Sequence, residues 1–224
     1  MGFLYTPLPF WVAVGGWIAA VGLLVLASWR RPFGRLQDPT LQHVWLALIT
    51  SITVLWASNA WLDDGLVMHL LGATLLVTLF DWALSLIAMA VVIGIAAFAF
   101  DATWQGVGLT YLIYGALPVA ASALLQRAVL ARLPHNLTAL IAGQGIVSPA
   151  VASGAVSIAA AGVQIALANG AFVVIPSGYV LSALLLALGE AWFTGVATAL
   201  IAVYRPAWVT TSDVRRYRLG GPRL

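Results

Sequence analysis

Asp63, Asp64 and His69 stand close together in WLDDGLVMHLLGATLL, residues 61–76, of a chain in which only 8% of residues are charged. Carboxylate oxygen and imidazole nitrogen are both competent ligands for a divalent transition metal. Asp101, in the segment DATWQG, is a further carboxylate of the same kind. Two readings stay open at this level. The group is a metal or substrate site at a membrane surface, or it is a polar cap with a histidine hydrogen-bonded to a neighbouring helix.

Three other polar positions require an account. Glu190 lies well inside an apolar run, where an ionised side chain costs about 2.5–3.5 kcal/mol at a helix centre. It is either a structural, hydrogen-bonded glutamate or part of a transport path or coupling contact, with Thr194 one turn further on. Asp81, in LFDWAL, reads as an N-cap, because aspartate accepts hydrogen bonds from unpaired amides at a helix start. His135 and Asn136 follow Pro134 and precede an apolar run, a helix-start pattern that also makes them functional candidates.

Absent residue types remove several chemistries. The chain has no cysteine and all ten basic residues are arginine. That excludes disulfides, thiolate nucleophiles and zinc–thiolate sites. Without lysine there is no GxxxxGK[ST] phosphate loop and no Schiff base. If ATP drives this protein, another subunit hydrolyses it. No HExxH, GxSxG or helical pair of catalytic carboxylates is present, so no enzymatic activity is expected.

The elements that position these residues are read from hydropathy. The 224 residues are 62% hydrophobic, with a mean hydropathy of +1.02, whereas a soluble domain carries roughly a quarter charged residues. The apolar runs reach or approach the roughly 20 residues that span a bilayer. We expect an all-α polytopic membrane protein forming a single integral membrane domain over 1–224. It has about seven spans, near 8–28, 42–60, 65–80, 82–100, 108–130, 137–165 and 179–203, and a tail over 204–224.

Seven spans put the arginines of WRRPFGRLQDP, QRAVLARLPHN and the carboxy-terminal tail on one side, the cytoplasm by the positive-inside bias. The N-terminus and the aspartate-bearing loops then face outward. The pI near 9.7 reflects this topology and not a nucleic-acid partner. No signal peptide is expected, since no basic region precedes the first apolar stretch. Trp11, Trp56, Trp61, Trp104, Trp192 and Trp208 read mostly as interfacial anchors. Small residues at Gly15, Gly16, Ala19 and Ala20, and at Ala183, Ala187, Ala191, Gly195 and Ala199, favour close helix approach.

Three segments carry a family resemblance. MHLLGATLL at 68–76 resembles the HLLGG-type motif of the CbiM-type cobalt/nickel permeases. GEAWFTGVATALIAVYRPAWV at 189–209 resembles the E-A-x-x-T-G … R-P ending of that family, and LPHNLTALIAGQG at 133–145 is similar to an internal motif of a divergent branch. The similarity runs over roughly residues 60–215. It implies a six-helix core with an extra first helix, in the substrate-capture component of an energy-coupling factor transporter of the bacterial cytoplasmic membrane. It implies Co²⁺ or Ni²⁺ as cargo, with a transmembrane coupling subunit and cytoplasmic ATPase subunits as partners.

By the same resemblance His69 occupies a ligand position and Met1 offers its amine; the outward cluster of polar residues adds Asp63, Asp64 and Asp101 as supplementary ligands. Metal-binding members begin Met-His and chelate through that imidazole, whereas here Gly2 follows Met1. The alternative expectation is therefore a non-transporting scaffold or assembly subunit of a larger membrane complex, built on the same fold.

Overall fold

The computed structural model describes residues 3–4, 8–57, 60–61, 67–132, 137–167 and 178–209. Six helices in it are long and apolar enough to cross a membrane: α1 (Phe10–Trp29), α2 (Pro39–Ala57), α3 (Ala73–Ala99), α4 (Trp104–Arg132), α5 (Leu137–Leu167) and α6 (Tyr179–Tyr204). Such helices form because every backbone polar group is satisfied within the segment, the only arrangement apart from a closed barrel that hydrocarbon tolerates. Their outer faces are apolar as well. Phe98, Ile158 and Leu188 are among the most exposed side chains, as expected where lipid is the solvent.

The expected spans at 65–80 and 82–100 are joined as α3, with a break at Asp81 (φ 69°, ψ 177°). The Asp81 Oδ1 accepts the amides of Ala83 at 2.7 Å and Leu84 at 3.2 Å. It thus caps the second half of α3, the role expected for it. The first half, 73–80, is only about 12 Å long at 1.5 Å per residue. Its start, Gly72, lies against Ile52 near the far end of α2. Its end lies near Arg35, on which Asp81 acts more strongly than Asp38 does.

The second half runs back. Trp82 sits beneath the Arg30 guanidinium, at 6.0 Å. Beyond its far end, Thr103 donates to the Leu4 carbonyl, ahead of α1. The chain therefore reverses direction at Asp81, so the third expected span, 65–80, is a loop followed by a half-length helix. Hydropathy alone gave a full helix there because Leu70, Leu71, Leu75 and Leu76 are as apolar in a loop as in a helix.

These contacts define two ends of the bundle. One holds Leu4 and the start of α4, where Trp17 Nε1 donates to the Trp104 carbonyl at 2.8 Å. The other holds Arg30, Arg35 and the residues after α6, where Arg35 Nη2 donates to the Trp208 carbonyl at 3.0 Å. Burial lowers the Arg35 pKa, and Asp81 and then Asp38 oppose that shift.

Small residues make the closest crossings, on a subset of the expected positions. Gly16 and Ala20 are buried on α1, while Gly15 and Ala19 are exposed. Gly16 packs on the backbone of Leu109 in α4, and Gly195 of α6 packs on Gly145 of α5.

Candidate functional site

His69 lies in the loop between α2 and α3, directly after a two-residue strand. That strand, Val67–Met68, pairs antiparallel with Ala60–Trp61. The imidazole is 6% exposed. Its ring is tilted against Trp56 with centroids 4.1 Å apart, and against Tyr114 at 5.7 Å. Its Nδ1 is buried and makes no hydrogen bond among the described residues, and the same holds for the neighbouring Trp56 Nε1. Buried polar atoms are nearly always paired in folded proteins, so an unpartnered nitrogen of this kind marks a candidate ligand position. Burial pushes the imidazole down from 6.5 to about 3, which leaves its lone pair free at neutral pH.

Three elements converge on the ring. Trp56 comes from the last turn of α2 and is 1% exposed. Tyr114 comes from a stretch of π-helix in α4, Tyr111–Ala116. A π turn inserts an extra residue and re-aims side chains, and it is often found at functional sites. Tyr114 also meets Phe3 edge-on, at 6.3 Å and 64°. Phe3 is fully enclosed; its amide donates to Thr110 Oγ1 at 3.1 Å. Gly106 leaves space for this insertion, since a Cβ there would come 1.9 Å from the Phe3 carbonyl oxygen.

Below His69 the loop ends at a carboxylate. Glu190 of α6 is 1% exposed, and its Oε1 accepts the amide of Leu71 and, at 3.2 Å, that of Gly72. These amides precede the first turn of the half-helix and have no partner within it. Thr194, one turn along α6, is fully buried but makes no hydrogen bond to Glu190; its Oγ1 is without a partner among the described residues.

A match over residues 6–208 to the family model for CbiM, the cobalt uptake substrate-specific transmembrane region, decides the relationship. The chain belongs to the CbiM family. Searches of curated proteins and of solved structures give no match. As a CbiM-family chain with six helices long and apolar enough to cross a bilayer, it is an integral membrane protein of a transporter family.

His69 lies in the aromatic cage and Glu190 at the head of the half-helix. Asp101 is exposed at the end of α3, with a left-handed φ of 49°. Among the described residues no three His, Asp, Glu or Cys side chains gather into a metal-holding group. Met1, Asp63, Asp64, His135 and Asn136 lie outside the described residues. Phe3 and Tyr114 carried no site signal in the sequence, and Trp56 read there as an interfacial anchor. Of the other tryptophans, Trp11 and Trp104 are exposed near helix ends, and Trp192 is exposed inside α6.

Proposed function

We propose that this chain is the substrate-capture subunit of an energy-coupling factor transporter and that it binds a divalent transition-metal cation, Co²⁺ first, through His69. The observation that carries this reading is the buried Nδ1 of His69, unpartnered among the described residues and caged by Trp56 and Tyr114. Neutral imidazole nitrogen suits Co²⁺ and Ni²⁺, and burial keeps it neutral. Met1, Asp63, Asp64 and Asp101 are the candidates for the remaining donors.

The bias of arginine toward the cytoplasm assigns the Arg30–Arg35 end to that side. The cage then lies at the end facing the outside of a bacterial cytoplasmic membrane. Capture from outside needs an energy source that this lysine-free chain does not carry. A transmembrane coupling subunit and cytoplasmic ATPase subunits supply it, docking from the arginine end.

Equilibrium Co²⁺ binding to the purified chain in detergent, with His69→Ala as control, tests the cargo. Saturable binding lost in His69→Ala is the expected result. A wild-type chain that binds no Co²⁺ or Ni²⁺, yet co-purifies with enzyme subunits unrelated to transport, would replace this reading with that of a scaffold subunit.

A further inference from the structure

We infer that Glu190 is the positioning residue of the capture loop: from α6 it holds the backbone of residues 69–72 in the shape that presents His69. The inference rests on the reading of His69 as the cargo ligand and adds to it the group that fixes the ligand in place.

Glu190 Oε1 takes two successive amides, those of Leu71 and Gly72, immediately after His69 and Leu70. One oxygen therefore sets the backbone direction just two residues beyond the imidazole. These two amides, and the positive end of the half-helix they begin, offset part of the burial cost of a glutamate inside the bundle.

A second contact grips the same loop. Gly189 lacks the Cβ that would stand 3.3 Å from Leu70 Cδ2, so Leu70 seats on α6 beside the carboxylate. Gly72 completes the turn with φ +68°, a conformation that glycine adopts without a steric penalty. The loop that carries His69 is thus clamped to α6 at three consecutive residues.

Glu190 acts through the loop and not as a further ligand. Its Oε1 is committed to amides, and it forms no His/Asp/Glu/Cys group of three with His69 among the described residues. Outer partners that orient a ligand typically contribute 10- to 100-fold in metal affinity. The side-chain requirement is narrow: a carbonyl-type oxygen at the reach of glutamate. Glutamine meets it; alanine lacks the acceptor, and aspartate is one methylene too short.

The test uses the full chain in detergent, with Co²⁺ as the probe and two readouts. One is the Co²⁺ dissociation constant; the other is metal-free hydrogen exchange over a peptide containing Leu71 and Gly72. Glu190→Ala is expected to weaken Co²⁺ binding by about 10- to 100-fold and to remove the protection of that peptide. Glu190→Gln is expected to restore both. Val156→Ala, a core truncation in α5, should lower the melting temperature without moving the dissociation constant, which separates positioning from general destabilisation.

Should Glu190→Ala fail to fold, Glu190→Gln and Glu190→Asp decide: binding must survive in the glutamine variant and weaken in the aspartate variant. Wild-type affinity in Glu190→Ala, or a glutamine variant as weak as the alanine or aspartate one, overturns the inference while the cobalt reading stands. Absence of Co²⁺ binding in the wild type overturns the cobalt reading itself, and positioning of a metal ligand with it.

Discussion

The Trp56 indole lies against the His69 imidazole, with centroids 4.1 Å apart and planes at 38°. It joins the end of α2 to the loop that starts the half-helix and leaves the imidazole little freedom to rotate. Trp56→Ala removes this wall and opens a cavity at a 1%-exposed position, at a cost of about 3 kcal/mol or more. Thermal unfolding in detergent should show that loss, and a Co²⁺ titration should show weaker binding. Trp56→Phe keeps a ring against His69 and is expected to retain most of the affinity. A folded Trp56→Ala chain with wild-type affinity would mean that stacking does not hold the ligand.

Gly72 is confined twice over. Its φ is +68°, and a Cβ would come 2.7 Å from Ile52 Cγ1. Gly72→Ala therefore meets left-handed strain, of order 1–3 kcal/mol, together with overpacking. Ile52→Ala relieves only the overpacking. In a double-mutant cycle the pair should lose less stability than the sum of the single variants, since neighbours sharing one clash are not additive. Strict additivity in melting experiments would place the whole cost in the backbone angle.

Much of this arrangement was legible in the sequence. Glu190 is conspicuous as a lone acid in an apolar run, the Asp81 cap follows from its place between two such runs, and the MHLLGATLL motif led to His69. The half-helix was not legible, because hydropathy measures transfer of side chains and is blind to where the backbone amides go. Those of Leu71 and Gly72 go to a side chain 119 and 118 positions away in sequence, respectively. Trp56 shows the same limit. A tryptophan at the end of an apolar helix has the same local sequence whether it faces the headgroups or a cage. Only the chain folding back over it distinguishes the two.

Burial of His69 has a consequence for stability against pH. Its folded-state pKa is lowered from 6.5 to about 3, so the unfolded chain binds the proton first. The contribution is fully present above pH 6.5 and is lost progressively as pH falls from there through about 3, following proton linkage. Metal-free wild type should lose melting temperature on going from pH 7 to about 4.5 more steeply than His69→Phe, which keeps a ring in the cage but cannot titrate. Parallel pH profiles for the two chains would count against a buried neutral imidazole.

The crossing of α1 with α4 ties the amino-terminal segment to the cage and can be tested with one glycine. A Cβ at Gly108 would stand 2.8 Å from Gly16 C and from Trp17 N, all backbone atoms that cannot step aside. Gly108→Ala must push the helices apart, straining the hydrogen bond from Trp17 Nε1 to the Trp104 carbonyl. Phe3 reaches the cage through the same α1–α4 interface, edge-on to Tyr114, so the displacement should weaken Co²⁺ binding as well as lower the melting temperature. Gly15→Ala is the matched control: nothing lies within 4 Å of its added methyl, and alanine is favoured over glycine in a helix interior by about 0.5–1 kcal/mol. The control should therefore melt no lower than wild type and bind Co²⁺ equally well. A Gly108→Ala chain that loses stability but keeps its affinity would show that the cage is held by Trp56 and Glu190 without help from α1.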